Sequence, residues 1–114
     1  MSATQMLLVL VCVFAISIGQ ILFKKVGVEV QSAGTWFHFN ALLFLFIAGV
    51  TYVGATVLWI HVLRTVELSR AYPYMALSFV LVPFWGWWVL GESVSITYLV
   101  GAAMIVLGLV VLNI

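Results

Sequence analysis

Four apolar runs divide the chain, and short polar or turn-rich segments separate them. A hydrocarbon core of about 30 Å requires roughly 20 apolar residues at a helical rise of 1.5 Å each. By that measure the pattern predicts four membrane-spanning helices. They cover approximately residues 5–23, 39–63, 73–90 and 95–112.

The three connections read "KKVGVEVQSAGTWFH", "RTVELSRAY" and "GESV", and every formal charge lies in or beside one of them. Without water in the hydrocarbon core, spans of this kind satisfy their backbone groups as helices. A closed barrel would need alternating polar residues, which the spans lack. The expected fold is an all-α integral membrane protein. It is a single four-helix bundle over residues 1–114, with both termini on one side.

Composition supports this fold class. Of the 114 residues, 67% are hydrophobic and 6% are charged, and the mean hydropathy is +1.35. A soluble domain this short has much surface per unit volume and needs many polar residues to cover it. The chain has too few, so a soluble domain is excluded.

Charge does not favour one orientation in the membrane. Lys24 and Lys25 lie on the side of loops one and three, whereas Arg64 and Arg70 lie on the side of loop two and both termini. Two basic residues against two give the positive-inside rule no bias. Either a partner fixes one orientation, or the chain inserts both ways and pairs with itself as an antiparallel dimer.

The first helix carries a polar stripe. Ser17, Gln20 and Lys24 recur at i, i+3 and i+7, which places them on one face of the helix. Because polar groups are costly in lipid, the stripe is expected to face the bundle interior and contribute to substrate binding. The alternative for Lys24 is that its ammonium extends to the lipid headgroups. Lys25, off the stripe, is expected to do that.

The third helix opens with "SRAYPYMALS". A residue before proline avoids helical geometry, so Tyr72 is predicted to cap the helix and Pro73 to be its first residue. Arg70 beside that helix end would form an anion site. Tyr74 and Ser78, at i and i+4, would offer hydroxyls along a substrate path.

Pro83 lies in the middle of the third span and cannot donate a hydrogen bond to the carbonyl of Phe79. Gly86 follows within one turn. The pair is predicted to be a hinge, since breaks of this kind bend or loosen membrane helices.

Small residues mark one face of the last helix. Gly101 and Gly108 are seven residues apart and nearly superposed along the helix. Small side chains let membrane helices approach closely, so this face is predicted to be a dimer contact. Packing inside the monomer is the alternative.

No pattern of catalytic or metal-ligating residues is evident. His38 and His61 are isolated, and neither a phosphate-binding glycine loop nor a pair of carboxylates occurs. We therefore expect no enzymatic activity, no cofactor, no metal and no nucleic-acid partner.

Several segments resemble a known family. The chain is similar to the small multidrug resistance type of the drug/metabolite transporter superfamily. "SIGQILFKK" and the "AYPYMALS" region are most similar to the flippase subunits for aminoarabinose-phosphoundecaprenol. "LGESVSITYLVGAAMIVLGLVVLNI" resembles the closing helix of the whole superfamily. The likeness covers roughly residues 15–25 and 56–113.

One departure from the multidrug exporters is informative. Those proteins use a membrane-embedded glutamate three residues before a shared glycine, which is Gly19 here, so Ile16 occupies the acidic position. The acidic residues of this chain, Glu29, Glu67 and Glu92, fall in or beside predicted loops. A proton-coupled exporter of cations is therefore not favoured.

The resemblance implies a flippase subunit for a polyprenyl-phosphate-linked sugar in the bacterial cytoplasmic membrane. Lys24 would hold the phosphate, and Gln20 and Ser17 would meet neighbouring polar atoms or the sugar. An inverted second subunit would bring its Arg70 to the same membrane face as Lys24.

The partner is either a second copy or a similar small subunit. Two other functions remain open, namely export of small hydrophobic or cationic compounds, with Glu92 replacing the missing carboxylate, and a non-transporting membrane subunit.

Overall fold

The protein is described over residues 1–114 by a computed structural model, and all of its regular structure is helical. In chain order the elements are α1 (Ala3–Ala33), α2 (Phe39–Leu63), α3 (Leu68–Ala71), a 3₁₀ segment (Tyr72–Leu77), α4 (Ser78–Leu90) and α5 (Ile96–Leu112). Three continuous helical stretches, Ala3–Ala33, Phe39–Leu63 and Leu68–Leu90, are long and apolar enough to cross a membrane. α5 is apolar and shorter. The architecture is that of a membrane helical bundle.

Helix α1 continues ten residues beyond the end expected near Phe23. The segment after Phe23 is less apolar, but half of its ten residues are good helix formers, so the fall in hydrophobicity does not end the helix. The helix stops at Gly34, whose positive φ of 71° lets its N–H close on the carbonyl of Val30. Lys24, Lys25 and Glu29 therefore lie on a helix and not in a loop.

The spacing along α1 is that expected if Ala3 and Lys24 lie near the two membrane boundaries. Lys24 follows Ala3, the first residue of α1, by 21 positions, which corresponds to a rise of roughly 32 Å. That distance is close to the thickness of a hydrocarbon core of about 30 Å.

Helices α1 and α2 pack through a row of small side chains. The buried residues of α2 recur every seventh position, at Ala41, Ala48, Ala55 and Val62. Small residues on one face allow the two backbones to approach closely. At Gly19 on α1 the contact is so close that a β-carbon would lie 2.3 Å from the Tyr52 ring.

The third span begins earlier than the sequence predicts. Glu67 is its N-terminal cap, and the backbone N–H groups of Arg70 and Ala71 both donate to the Glu67 carbonyl. Tyr72 has helical dihedral angles, so its prediction as the cap is wrong. Tight 3₁₀ turns accommodate Pro73 within a continuous helical path. The anion site predicted beside Arg70 stays a prediction.

A hydrophobic core holds one end of the bundle together. It contains Val9, Val13, Val62, Val66, Ala71, Tyr74 and Leu109, contributed by every long helical segment. The Gln5 amide donates to Thr65 Oγ1 at 3.0 Å, and the Tyr74 hydroxyl donates to Asn113 Oδ1 at 2.9 Å. Both termini and the α2–α3 connection thus lie at this end, as the four-span pattern predicts.

The opposite end of the bundle is more open. α5 packs mainly against the 3₁₀ segment, and it contacts α4 at few positions. A cleft therefore separates α4 from α5 on the side that carries Lys24 and the α4–α5 connection.

Candidate functional site

A polar cavity of about 540 Å³ lies between α1, α4 and the start of α5. Its apolar wall includes Ile21, Val82 and Leu90. Six of its residues have polar side chains: Gln20, Lys24, Glu92, Ser93, Ser95 and Tyr98. The volume falls within the range of roughly 300–1,000 Å³ typical of small-molecule sites.

An apolar groove of about 690 Å³ lies beside the polar cavity, between α4 and α5. Phe79, Phe84, Trp87 and Leu99 are among its walls. Four further residues line both the groove and the cavity: Pro83, Ser93, Val94 and Tyr98. The two spaces are therefore contiguous, and together they form one amphipathic site.

Two of the three residues in the polar stripe of α1 reach the cavity. Lys24 and Gln20 line it, and the Gln20 amide also donates to the Tyr52 hydroxyl. Ser17 is buried beneath Trp85, whose indole N–H donates to the Ser17 hydroxyl at 3.1 Å. Ser17 does not line the cavity, and its role in substrate binding stays a prediction.

Lys25 points away from the site. Its ammonium lies 5.4 Å from the centre of the Phe44 ring on α2, within the range of a cation–π contact. It does not line the polar cavity. The two adjacent lysines thus have different surroundings, which makes Lys25 a matched control for Lys24.

The turn between α4 and α5 places Glu92 at the cavity. Gly91 adopts a positive φ of 70°, which ends α4 and turns the chain back over its last turn. The Glu92 N–H consequently bonds the Gly86 carbonyl at 3.1 Å. Its carboxylate Oε2 lies 3.7 Å from the position that a β-carbon on Gly86 would occupy. Glu92 belongs to a loop, as expected, and its side chain lines the polar cavity.

Tyr98 replaces the hydrogen-bond donor that α4 lacks at Pro83. Pro83 has no N–H, so the carbonyl of Phe79 lacks its helical donor, and the Tyr98 hydroxyl donates to that carbonyl at 2.9 Å. α4 remains helical from Ser78 to Leu90 through the proline. Pro83 and Gly86 both line the polar cavity. Their action as a hinge stays a prediction.

The residues predicted around the start of the third span are not at this site. Arg70 and Tyr72 are exposed at the other end of the bundle. Tyr74 is buried in the core, with its hydroxyl bonded to Asn113. The Ser78 hydroxyl donates to the Met75 carbonyl in the preceding 3₁₀ segment. None of the four lines the polar cavity or the apolar groove, and their part in substrate binding is untested.

The small-residue face of α5 is open in the single chain. No atom lies within 4 Å of the β-carbon positions at Gly101 and Gly108. Packing of these two glycines against another helix of the same chain is therefore absent. Their role in a dimer contact stays a prediction.

Sequence reasoning considered Glu92 only for the exporter alternative, and it missed Tyr98. A signal for the first was present, because a glycine directly after an apolar run favours a left-handed helix end that folds the next residue back. For Tyr98, the signal was that the Phe79 carbonyl has no helical donor at Pro83 and needs another one. Only the packing of α5 beside α4 identifies that donor.

The sequence profile of the EamA-like transporter family matches residues 1–114. The chain belongs to the EamA-like transporter family. No solved structure matches it.

Two bacterial relatives of this EamA-like protein illustrate the likeness. Each is named a probable 4-amino-4-deoxy-L-arabinose-phosphoundecaprenol flippase subunit ArnE. The protein of Salmonella typhimurium strain LT2 is 32% identical over 105 residues, which cover 92% of this chain and 94% of the relative. That of Proteus mirabilis strain HI4320 is 31% identical over 97 residues, covering 84% and 85%. The resemblance drawn from the sequence motifs is thereby confirmed, and the family assigns the chain to membrane transport, not to enzymatic catalysis.

Proposed function

We propose that this EamA-like protein is a subunit of a flippase that moves a polyprenyl-phosphate-linked sugar across the bacterial cytoplasmic membrane. The observation that carries the proposal is the contiguity of the polar cavity and the apolar groove. A lipid-linked sugar phosphate has a charged, hydroxyl-rich head and a long hydrocarbon tail, and it needs both environments side by side.

Lys24 is the residue proposed to bind the phosphate. It lines the cavity, and its spacing from the start of α1 fits a position near the headgroups. A lysine ammonium is a compact charge with three donors, well suited to a phosphate oxygen. Gln20 and Ser95, on neighbouring walls, are available to the sugar hydroxyls.

The apolar groove is proposed to hold the first isoprene units of the tail. Its walls are largely aromatic and aliphatic, and it opens along the seam between α4 and α5. Because these helices contact each other at few positions, the tail need not leave the lipid while the head enters the cavity.

We propose that the working unit contains a second small subunit, since the ArnE relatives are named as subunits. Within one chain, Lys24 and Arg70 lie at opposite ends of the helical bundle. An inverted partner would present its Arg70 on the face where this chain presents Lys24. The open glycine face of α5 would provide the contact. Each membrane leaflet would then have a cationic binding site for the lipid phosphate.

Native mass spectrometry tests the lipid specificity and the subunit count together. The full-length protein is placed in nanodiscs with equal amounts of a polyprenyl phosphate and the polyprenol of the same length. We expect the phosphate to be retained on a dimer in preference to the alcohol. Equal retention of both, or retention of neither, would contradict the proposal.

One observation favours a second function. Glu92 places a carboxylate in the cavity, which export of cationic compounds would require. On that alternative, an organic cation without a phosphate would bind, and binding would depend on Glu92 and not on Lys24.

A further inference from the structure

One hydrogen bond joins α4 directly to α5. The Tyr98 hydroxyl, near the start of α5, donates to the Phe79 carbonyl in α4 at 2.9 Å. No other hydrogen bond connects the two helices, and they contact each other at few positions. The apolar groove lies between them. The bond from Tyr98 is therefore a large part of what holds the seam between α4 and α5 closed.

Pro83 creates the acceptor of this bond. In a regular α-helix the Phe79 carbonyl accepts from the N–H of residue 83, and proline has none. Phe79 lies within the membrane-spanning stretch Leu68–Leu90, and a carbonyl without a donor is unfavourable in the hydrocarbon core, because no water is present to replace the donor. α4 thus gives up a hydrogen bond within itself and gains one to α5. Separation of the two helices leaves the carbonyl unpaired.

Tyr98 lies at the boundary between the two halves of the site. It lines both the polar cavity and the apolar groove, as does Pro83. The far end of α5 is fixed more firmly, since Leu109 belongs to the hydrophobic core and the Tyr74 hydroxyl donates to Asn113 Oδ1 at 2.9 Å. Release of the Tyr98 bond would therefore free the start of α5 while its end stays in place.

We propose that the Tyr98–Phe79 hydrogen bond acts as a latch on the seam between α4 and α5, and that Pro83 makes the latch possible by freeing its acceptor. When the bond breaks, the start of α5 moves away from α4, and the polar cavity opens sideways to the membrane. Tyr98 is thus a positioning residue that controls access to the site. This role does not depend on which molecule the site binds, so it goes beyond the proposed function.

A double-mutant cycle tests whether Pro83 and Tyr98 act together. Tyr98→Phe removes only the hydroxyl and keeps the ring, and Pro83→Ala returns the helical donor to the Phe79 carbonyl. In thermal unfolding of the full-length protein in detergent, Tyr98→Phe is expected to lower Tm by about 2–6 °C, the size expected for one hydrogen bond between membrane helices. In the Pro83→Ala background the same substitution should have little effect. Tyr74→Phe removes a bond of equal length at the other end of α5, and as the control it should lower Tm equally in both backgrounds.

Distances between spin labels test whether the bond keeps the seam closed. One label is attached through Val89→Cys on α4, and the other through Ile96→Cys at the start of α5 or Val111→Cys near its end. All three positions are exposed, and the single native cysteine is first replaced by alanine. Excess unlabelled protein restricts the measurement to distances within one chain. We expect Tyr98→Phe to shift the Val89–Ile96 distances to longer and broader values, whereas the Val89–Val111 distances should stay unchanged.

The outcomes separate a latch from an ordinary packing contact. Longer Val89–Ile96 distances in Tyr98→Phe, together with a smaller loss of Tm in the Pro83→Ala background, would support the latch. Equal losses of Tm in both backgrounds would show that the hydroxyl does not act through the carbonyl that Pro83 frees. Unchanged distances would show that the bond does not hold the seam closed. Either of these two results overturns the latch, and neither affects the proposed flippase function, which lipid binding tests separately.

Discussion

Replacing Lys24 with alanine is expected to reduce the affinity for a polyprenyl phosphate about 10- to 100-fold, which corresponds to roughly 1.5–3 kcal/mol for a hydrogen bond to a charged group. Lys24 is the only basic residue that lines the polar cavity. Without it, Glu92 leaves the cavity with a net negative charge that repels the phosphate. The loss should be measured as Kd in nanodiscs, with the neutral polyprenol as the reference lipid.

Lys25→Ala is the matched control, because it removes the same charge from the adjacent position. Its ammonium faces Phe44 on α2 and not the cavity, so the affinity for the phosphate lipid should change less than about twofold. Equal losses in the two variants would mean that the lysines act only through general attraction to the membrane surface.

Gly19→Ala is expected to lower the stability of the protein more than an alanine substitution at the other helical glycines. The added β-carbon would lie 2.3 Å and 2.7 Å from two carbons of the Tyr52 ring. The ring is already held by its bond to Gln20 and by stacking on Phe23, with ring centres 4.9 Å apart. Relieving the clash requires α1 and α2 to separate or Tyr52 to change rotamer, at a cost of about 1–3 kcal/mol.

Thermal unfolding in detergent checks this expectation. Gly27→Ala is the control on the same helix, because no atom lies within 4 Å of its β-carbon position. It should be neutral or slightly stabilising, since alanine favours helices more than glycine does. A Gly19→Ala protein as stable as Gly27→Ala would show that the close packing of α1 on α2 is not required.

The apolar spans were predictable because membrane helices are set mainly by length and hydrophobicity. The end of α1 was not, since hydrophobicity falls after Phe23 whereas helix propensity persists to the glycine at position 34. The start of the third span was misplaced because proline permits 3₁₀ geometry as well as a helix start. The residue types around Pro73 allow either structure, and the helical turn that precedes Pro73 determines which one forms.

The site was predictable only in part. Periodicity placed Gln20 and Lys24 on one face of α1, and both line the cavity. It could not show that Trp85 on α4 covers Ser17 on that same face. Glu92 and Tyr98 reach the cavity because of the way α5 packs beside α4. That packing cannot be derived from a single sequence.

Photocrosslinking locates the tail of a bound lipid on the protein surface. A polyprenyl phosphate with a photoreactive diazirine on its tail is bound to the full-length protein, irradiated and mapped by peptide mass spectrometry. We expect adducts on groove residues such as Val80, Trp87 and Ala103, and unlabelled polyprenyl phosphate should suppress them. Labelling of the exposed α2 residues Val53 and Val57 should be weaker and insensitive to the competitor. Equal labelling of both surfaces that the competitor does not reduce would show that the groove does not bind the lipid tail.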